Sequence, residues 1–115
     1  MADKSFVDNP NVVLDLNSGN FDEAVSKYDF LVVDCWAEWC GPCKMVGPVV
    51  ASLAEKKQGE IVFGKLDVDS NRELAMKFGI RSIPDLLVFK DHKKVGDVIG
   101  AMPEAMLLSE IERYK

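Results

Sequence analysis

Two cysteines three residues apart constrain this chain more than any other feature: Cys40 and Cys43, within Trp36-Ala37-Glu38-Trp39-Cys40-Gly41-Pro42-Cys43-Lys44. They fall where one pattern gives way to another. Before them, Phe30-Leu31-Val32-Val33 is a short apolar run of the kind a buried strand uses, and after them Met45 to Lys57 carries apolar residues at helical spacing. Positions three apart share a helix face, so two cysteines in a first helical turn approach closely enough for a disulfide. The same place activates a thiol, because unpaired backbone N–H groups and the positive end of the helix dipole favour the thiolate. Pro42 suits a first turn, where its missing N–H has no intrahelical partner to lose. Two other readings stand beside the redox one. A zinc half-site needs about four ligands, and beyond this pair the chain offers Cys35, His92 and carboxylates without ligand-like spacing. A fixed structural bridge is the second. C-x-x-C beside a βαβ pattern favours the redox reading.

The 115 residues, 48% of them hydrophobic, suffice for a single core, so one domain over residues 1–115 is expected. A net charge of −5 argues against a footprint for nucleic acid or an anionic membrane. No apolar run approaches the roughly 20 residues of a bilayer span. Met1-Ala2-Asp3-Lys4-Ser5 lacks the basic-then-apolar order of a secretion signal. Three cysteines are too few, and odd in number, for a secreted disulfide framework. A reducing, cytoplasmic setting follows, where a C-x-x-C pair is more plausibly catalytic than structural.

In chain order, residues 1–10 read as a polar lead-in and 12–16 as a strand. A turn over 17–20 precedes a helix from Phe21 to Lys27, with Asn20 as N-cap and Asp22 and Glu23 complementing the dipole. The next strand runs from Phe30 to about Trp36. The helix after the cysteines carries Met45, Val46, Val49, Val50, Leu53 and Ala54 as an apolar stripe, contains Pro48 as a kinking residue, and closes at Gln58-Gly59. Residues 61–68 form a third strand, and Ser70 or Asn71 caps a short helix that ends at Gly79. Asp85 to Phe89 is a fourth strand. The polar turn Asp91-His92-Lys93-Lys94 leads to a fifth over 95–100, giving an antiparallel hairpin. A last helix after Pro103 buries Met106, Leu107, Ile111 and Tyr114. This βαβαβαββα order is an α/β pattern with helices on both faces of a sheet.

From about Val12 to the C-terminus the sequence resembles a thioredoxin. The resemblance rests on Asp34, the block from Trp36 to Lys44, Pro48, Lys65, Ile83-Pro84 and Gly100 standing together. Thioredoxins are themselves the standard instance of the C-x-x-C redox motif. The resemblance implies a five-stranded mixed sheet of order 1-3-2-4-5 flanked by four helices, with the fifth strand at an edge. It also implies a cis bond before Pro84, bringing Ile83 backbone groups alongside the dithiol. Three positions depart from the pattern. Asp85 stands where the family commonly has threonine, and either adds negative charge near the site or faces solvent at a strand start. Cys35 takes a commonly aromatic position, and His92 stands in a turn where relatives often have glycine and reads as a solvated loop residue.

As for activity, the resemblance implies a protein-disulfide reductase working without a bound cofactor through a redox-active Cys40–Cys43 disulfide, in electron transport and cell redox homeostasis. Cys40 attacks a disulfide in a partner protein and Cys43 resolves the mixed disulfide. Asp34, a carboxyl in an apolar strand, accepts the Cys43 proton, and Lys65 on the adjacent strand partly holds its charge; a purely structural Asp34–Lys65 pair is the alternative. Trp39, Gly41, Pro42, Ile83, Pro84, Gly100 and Ala101 form a flat, largely apolar docking surface tolerant of partner sequence. The implied partners are disulfide-containing proteins and a thioredoxin reductase, with no nucleic acid, membrane or metal, and the chain acts as a monomer. A disulfide isomerase or oxidant, a redox-switched binding module and a glutathione user are the rivals, and the Trp-Cys-Gly-Pro-Cys spelling favours the reductase. Strand alternation sends Cys35 to the face opposite Asp34, as a small buried hydrophobe rather than a third redox cysteine.

Overall fold

A hairpin and three helical connections wrap the chain around one sheet in the computed structural model, which describes residues 6–115. The segment Met1 to Ser5, on which the reading about secretion rests, lies outside the described residues. In order come β1 (Leu14–Leu16), α1 (Phe21–Lys27), β2 (Phe30–Trp36), α2 (Gly41–Lys56), β3 (Val62–Asp67), α3 (Arg72–Lys77), β4 (Asp85–Lys90), β5 (Lys93–Ile99) and α4 (Glu104–Glu112). The sheet order is β1-β3-β2-β4-β5, as the resemblance implied. Among the described residues no helix is long and apolar enough to cross a membrane.

β2 lies at the centre, with Leu31 to Cys35 buried, which is why it reads as a continuous apolar run rather than an alternating one. Alternation still assigns its side chains to two cores. Leu31, Val33 and Cys35 pack with Phe21, Ala24 and Leu74 beneath α1 and α3. Val32 packs with Val46, Val50, Leu53, Leu107 and Ile111 beneath α2 and α4. Burial of Val46, Val50 and Leu53 contributes about 1.5–3 kcal/mol each, together more than the roughly 3 kcal/mol that an interior proline costs, and the helix runs unbroken through Pro48.

Strand direction places the site. β1 and β2 both run parallel to β3, but β4 runs antiparallel to β2, pairing Cys35 with Asp85 and Phe30 with Lys90. β4 begins at the end of the sheet where β2 and β3 finish, beside the cysteines. The Ile83–Pro84 peptide there is cis.

Several local expectations are corrected. Residues 6–10 are not a detached lead-in: Phe6 is buried edge-on against Tyr28 at 6.1 Å, and Tyr28 Oη donates to the Val7 carbonyl at 2.6 Å. β1 starts at Leu14, leaving Val12 exposed. Asn20 and Asn71 do stand at the N-cap positions of α1 and α3, but neither side chain caps a helix N–H. Asn20 Oδ1 accepts from Asn17 N–H at 2.7 Å, and Asn71 instead accepts from Ser18 N–H at 3.0 Å while donating to the Asp67 carbonyl at 3.0 Å. Asn71 thus ties the β1–α1 turn to the β3–α3 turn. Met45 and Met106 are exposed, not core.

The final turn holds only Asp91 and His92, both at positive φ (51° and 72°), and Lys93 and Lys94 already belong to β5. Two such residues match the twist of a tight hairpin. His92 is solvent-exposed as read, and its Nδ1–H also donates to the Val25 carbonyl at 2.8 Å, pinning the hairpin to α1.

Candidate active site

Cys40 ends the loop after β2 as the N-cap of α2 rather than a first-turn residue, with extended backbone angles (φ −88°, ψ 107°). Its Sγ accepts from Cys43 N–H at 3.2 Å, so one otherwise orphaned helix donor is aimed at that sulfur. Cys40 and Cys43 are joined as a disulfide with Cα atoms 5.3 Å apart. The two are equally buried, at 4% exposure each, so exposure does not distinguish an outer cysteine. Their surroundings do. Cys40 Sγ lies 3.7 Å from the Ile83 carbonyl oxygen, whereas Cys43 lines a cavity of about 230 Å³ together with Asp34, Trp36 and Lys65.

Asp34 is buried, and its Oδ1 has no hydrogen-bond partner among the described residues. Burial raises its pKa from 3.8 to about 6, and the charge of Lys65 opposes the rise. Lys65 faces Asp34 across the β2–β3 ladder with its Nζ 5.9 Å from the centroid of the Trp36 ring. Glu38, Lys44 and Lys65 also line the cavity that Asp34 and Cys43 share, and it is roomy enough for water. A proton could pass between the two side chains through it.

The surface residues separate into two kinds. Trp39, Gly41, Pro42 and Ala101 are exposed. Ile83 is half-buried beside Cys40, and Pro84 is buried, so Pro84 contributes through its backbone: its carbonyl accepts from Gly100 N–H at 2.9 Å. Gly100 sits at φ 102°, a conformation open to glycine at little cost. One partner was not legible in the sequence. Trp39 Nε1–H donates to Asp69 Oδ2 at 2.9 Å, and Asp69 comes from the loop after β3, thirty residues away.

Asp85 neither faces solvent nor stands by the dithiol. It is buried opposite Cys35 in the β2–β4 ladder, on the face away from Asp34. Burial first, and then the hydrogen bond and charge of Asp97, raise its pKa to about 7, with Lys94 opposing. That carboxyl acts on Cys35. The Cys35 thiol is fully buried and its pKa is driven far upward by burial, with Asp85 and Asp34 adding to the rise and Lys94 lowering it. We expect thiol reagents to leave the folded, oxidised protein unmodified and to label one cysteine, Cys35, after denaturation. Mass mapping of the label checks this; rapid labelling of Cys35 in the native protein would overturn its reading as a buried, inert thiol.

The thioredoxin family model matches residues 12–113. Among curated proteins, a putative thioredoxin 2 of Streptomyces coelicolor is 45% identical over 98 residues, covering 85% of this chain and 72% of that protein. The thioredoxin of Porphyra purpurea is 42% identical over 103 residues, covering 89% and 96%. Among solved structures, a point-mutant thioredoxin from Halobacterium salinarum superposes with a TM-score of 0.83 at 38% identity, covering 91% of this chain and 92% of its own.

Proposed function

From the premise that this chain belongs to the thioredoxin family and is a thiol-disulfide oxidoreductase, we propose that it works as a reductase of protein disulfides, with Cys40 as nucleophile. The observation that carries this reading is the position of Cys40 at the N-cap of α2, its sulfur met by the Cys43 N–H at 3.2 Å. In the reduced protein that N–H and the helix dipole favour a Cys40 thiolate.

The thiolate attacks one sulfur of a partner disulfide. The partner's S–S bond breaks, its other sulfur leaves as a thiolate, and a mixed disulfide joins Cys40 to the partner. Cys43 then loses its proton to Asp34, directly or through water, and attacks Cys40 Sγ. The second partner sulfur leaves, the Cys40–Cys43 bond closes, and two electrons have passed to the partner, whose thiolates take up protons. Lys65 moderates the charge that Asp34 acquires. Trp39, Gly41, Pro42, Ile83 and Ala101, with the Pro84 and Gly100 backbone, form the surface on which an extended partner segment docks.

A thioredoxin reductase then restores the dithiol. The chain acts as a single-domain monomer in the cytoplasm, a carrier in electron transport and redox homeostasis. Its odd, small cysteine count supports a reducing compartment. Supplied with a thioredoxin reductase, each chain should reduce many insulin disulfides. One disulfide per chain and no turnover would identify a redox-switched binding module instead, and faster recycling by glutathione than by the reductase would identify a glutathione user.

A further inference from the structure

A groove of about 340 Å³ opens beside the dithiol between Trp39 and α3, a volume in the range of binding clefts. It is continuous with the redox site, because Ile83 lines the groove and also packs against Cys40 and Cys43. Its apolar part includes Ile80, Ile83 and Met76, whose side chain is 81% exposed, as is 70% of Trp39. Exposed apolar groups next to a reactive centre are unusual enough to indicate recognition.

The charges around this groove are one-sided. Arg72 and Arg81 line it, and no carboxylate does. They are two of the chain's three arginines. The third, Arg113, is held by Glu110 at 3.2 Å, whereas among the described residues neither Arg72 nor Arg81 forms an ion pair. Asp69, the acid beside Trp39, already accepts the indole N–H. A chain of net charge −5 thus presents two unpaired guanidinium groups at the edge of its redox site. Arginine matches carboxylates through paired, charge-assisted hydrogen bonds, and opposite charge also speeds encounter.

We propose that this groove makes the protein selective for acidic partners. Its occupant is an extended segment of a partner protein, adjoining the attacked cysteine, that lays an apolar side chain against Ile80 and Met76 and brings carboxylates to Arg72 and Arg81. The proposal rests on the reading that Cys40 attacks partner disulfides.

Three disulfide-bridged peptides test it, identical in an apolar residue near the cysteine and differing only in flanking Glu, Gln or Lys pairs. The unsubstituted protein should show a kcat/KM for the Glu peptide about tenfold above that for the Gln peptide, the combined scale of two partly exposed charge pairs. The Lys peptide should be slowest, and the preference should shrink as salt is raised. In the double variant R72Q/R81Q the ratio of Glu to Gln peptide should fall to about one. Equal rates for the Glu and Gln peptides with the unsubstituted protein, or a preference that survives in R72Q/R81Q, would overturn the groove's role while turnover of the Gln peptide left the reductase reading standing. Failure to reduce even the Gln peptide would bring down both.

Discussion

Cys40→Ser should abolish disulfide reduction, and Cys43→Ser should build up a long-lived mixed disulfide through Cys40. The asymmetry follows from what surrounds each sulfur. Cys40 sits at the N-cap of α2, beside the Ile83 carbonyl and the exposed surface of Trp39, where a partner sulfur can approach. Cys43 is turned to the Asp34 cavity, where its proton can leave. Serine at Cys40 removes the attacking sulfur, and turnover falls to the uncatalysed background. Serine at Cys43 spares the attack and stops only resolution, so the partner stays covalently held. Non-reducing gels and mass spectrometry of the adduct read this directly. Trapping through Cys43 in Cys40→Ser, with none through Cys40, would exchange the two roles.

Asp34→Asn should slow resolution of the mixed disulfide by about 10²-fold, the low end of a general base's contribution, and stabilise the fold on the order of 3 kcal/mol at neutral pH. Both effects share one cause, the desolvation of a buried carboxylate. The pKa of Asp34 is raised from 3.8 to about 6. Below 3.8 the folded and unfolded chains both hold the proton, and ionisation of the carboxyl takes nothing from stability. Between 3.8 and about 6 the unfolded chain has lost a proton that the folded chain keeps, so stability falls as pH rises. Above the folded value both are ionised and the loss levels off. Denaturant melts across this window should slope downward for the unsubstituted protein, and Asp34→Asn should remove that part of the slope. Wild-type resolution rates and an unchanged pH dependence in Asp34→Asn would remove Asp34 from the mechanism.

The other buried carboxyl shows how much depends on position in the sheet. Asp34 and Asp85 are both acids on central strands, each with a raised pKa and an Oδ1 that has no partner among the described residues. One side chain faces the cavity that Cys43 lines, and the other lies across the sheet beside Cys35. Strand alternation was enough to separate Cys35 from Asp34, because the side chains of one strand alternate strictly between faces. It was not enough to place Asp85, whose face depends on the register of β4 against β2.

Most of the elements were legible in the chain itself. The apolar run at Phe30, the helical stripe after Cys43, Gly79 and the pair Ile83-Pro84 mark β2, α2, the end of α3 and the approach to β4, since these signals act over a few neighbouring residues. The dithiol at a strand-to-helix junction was legible for the same reason, and the resemblance carried over the sheet order and the residues around the site. Periodicity shows which side of an element is apolar but not whether another element covers it, so Met45 and Met106 stayed exposed against expectation. Side chains whose partners lie far along the chain were equally hidden: Asn71 holds Ser18 across 53 residues, and His92 reaches Val25 across 67. Tertiary structure alone reversed β4 against β2, carried Asp69 to Trp39, and set Arg72 and Arg81 along the groove beside Cys40. Each of these is a contact between segments that meet only after the sheet closes, fixed by packing and register rather than by the local preferences a sequence displays.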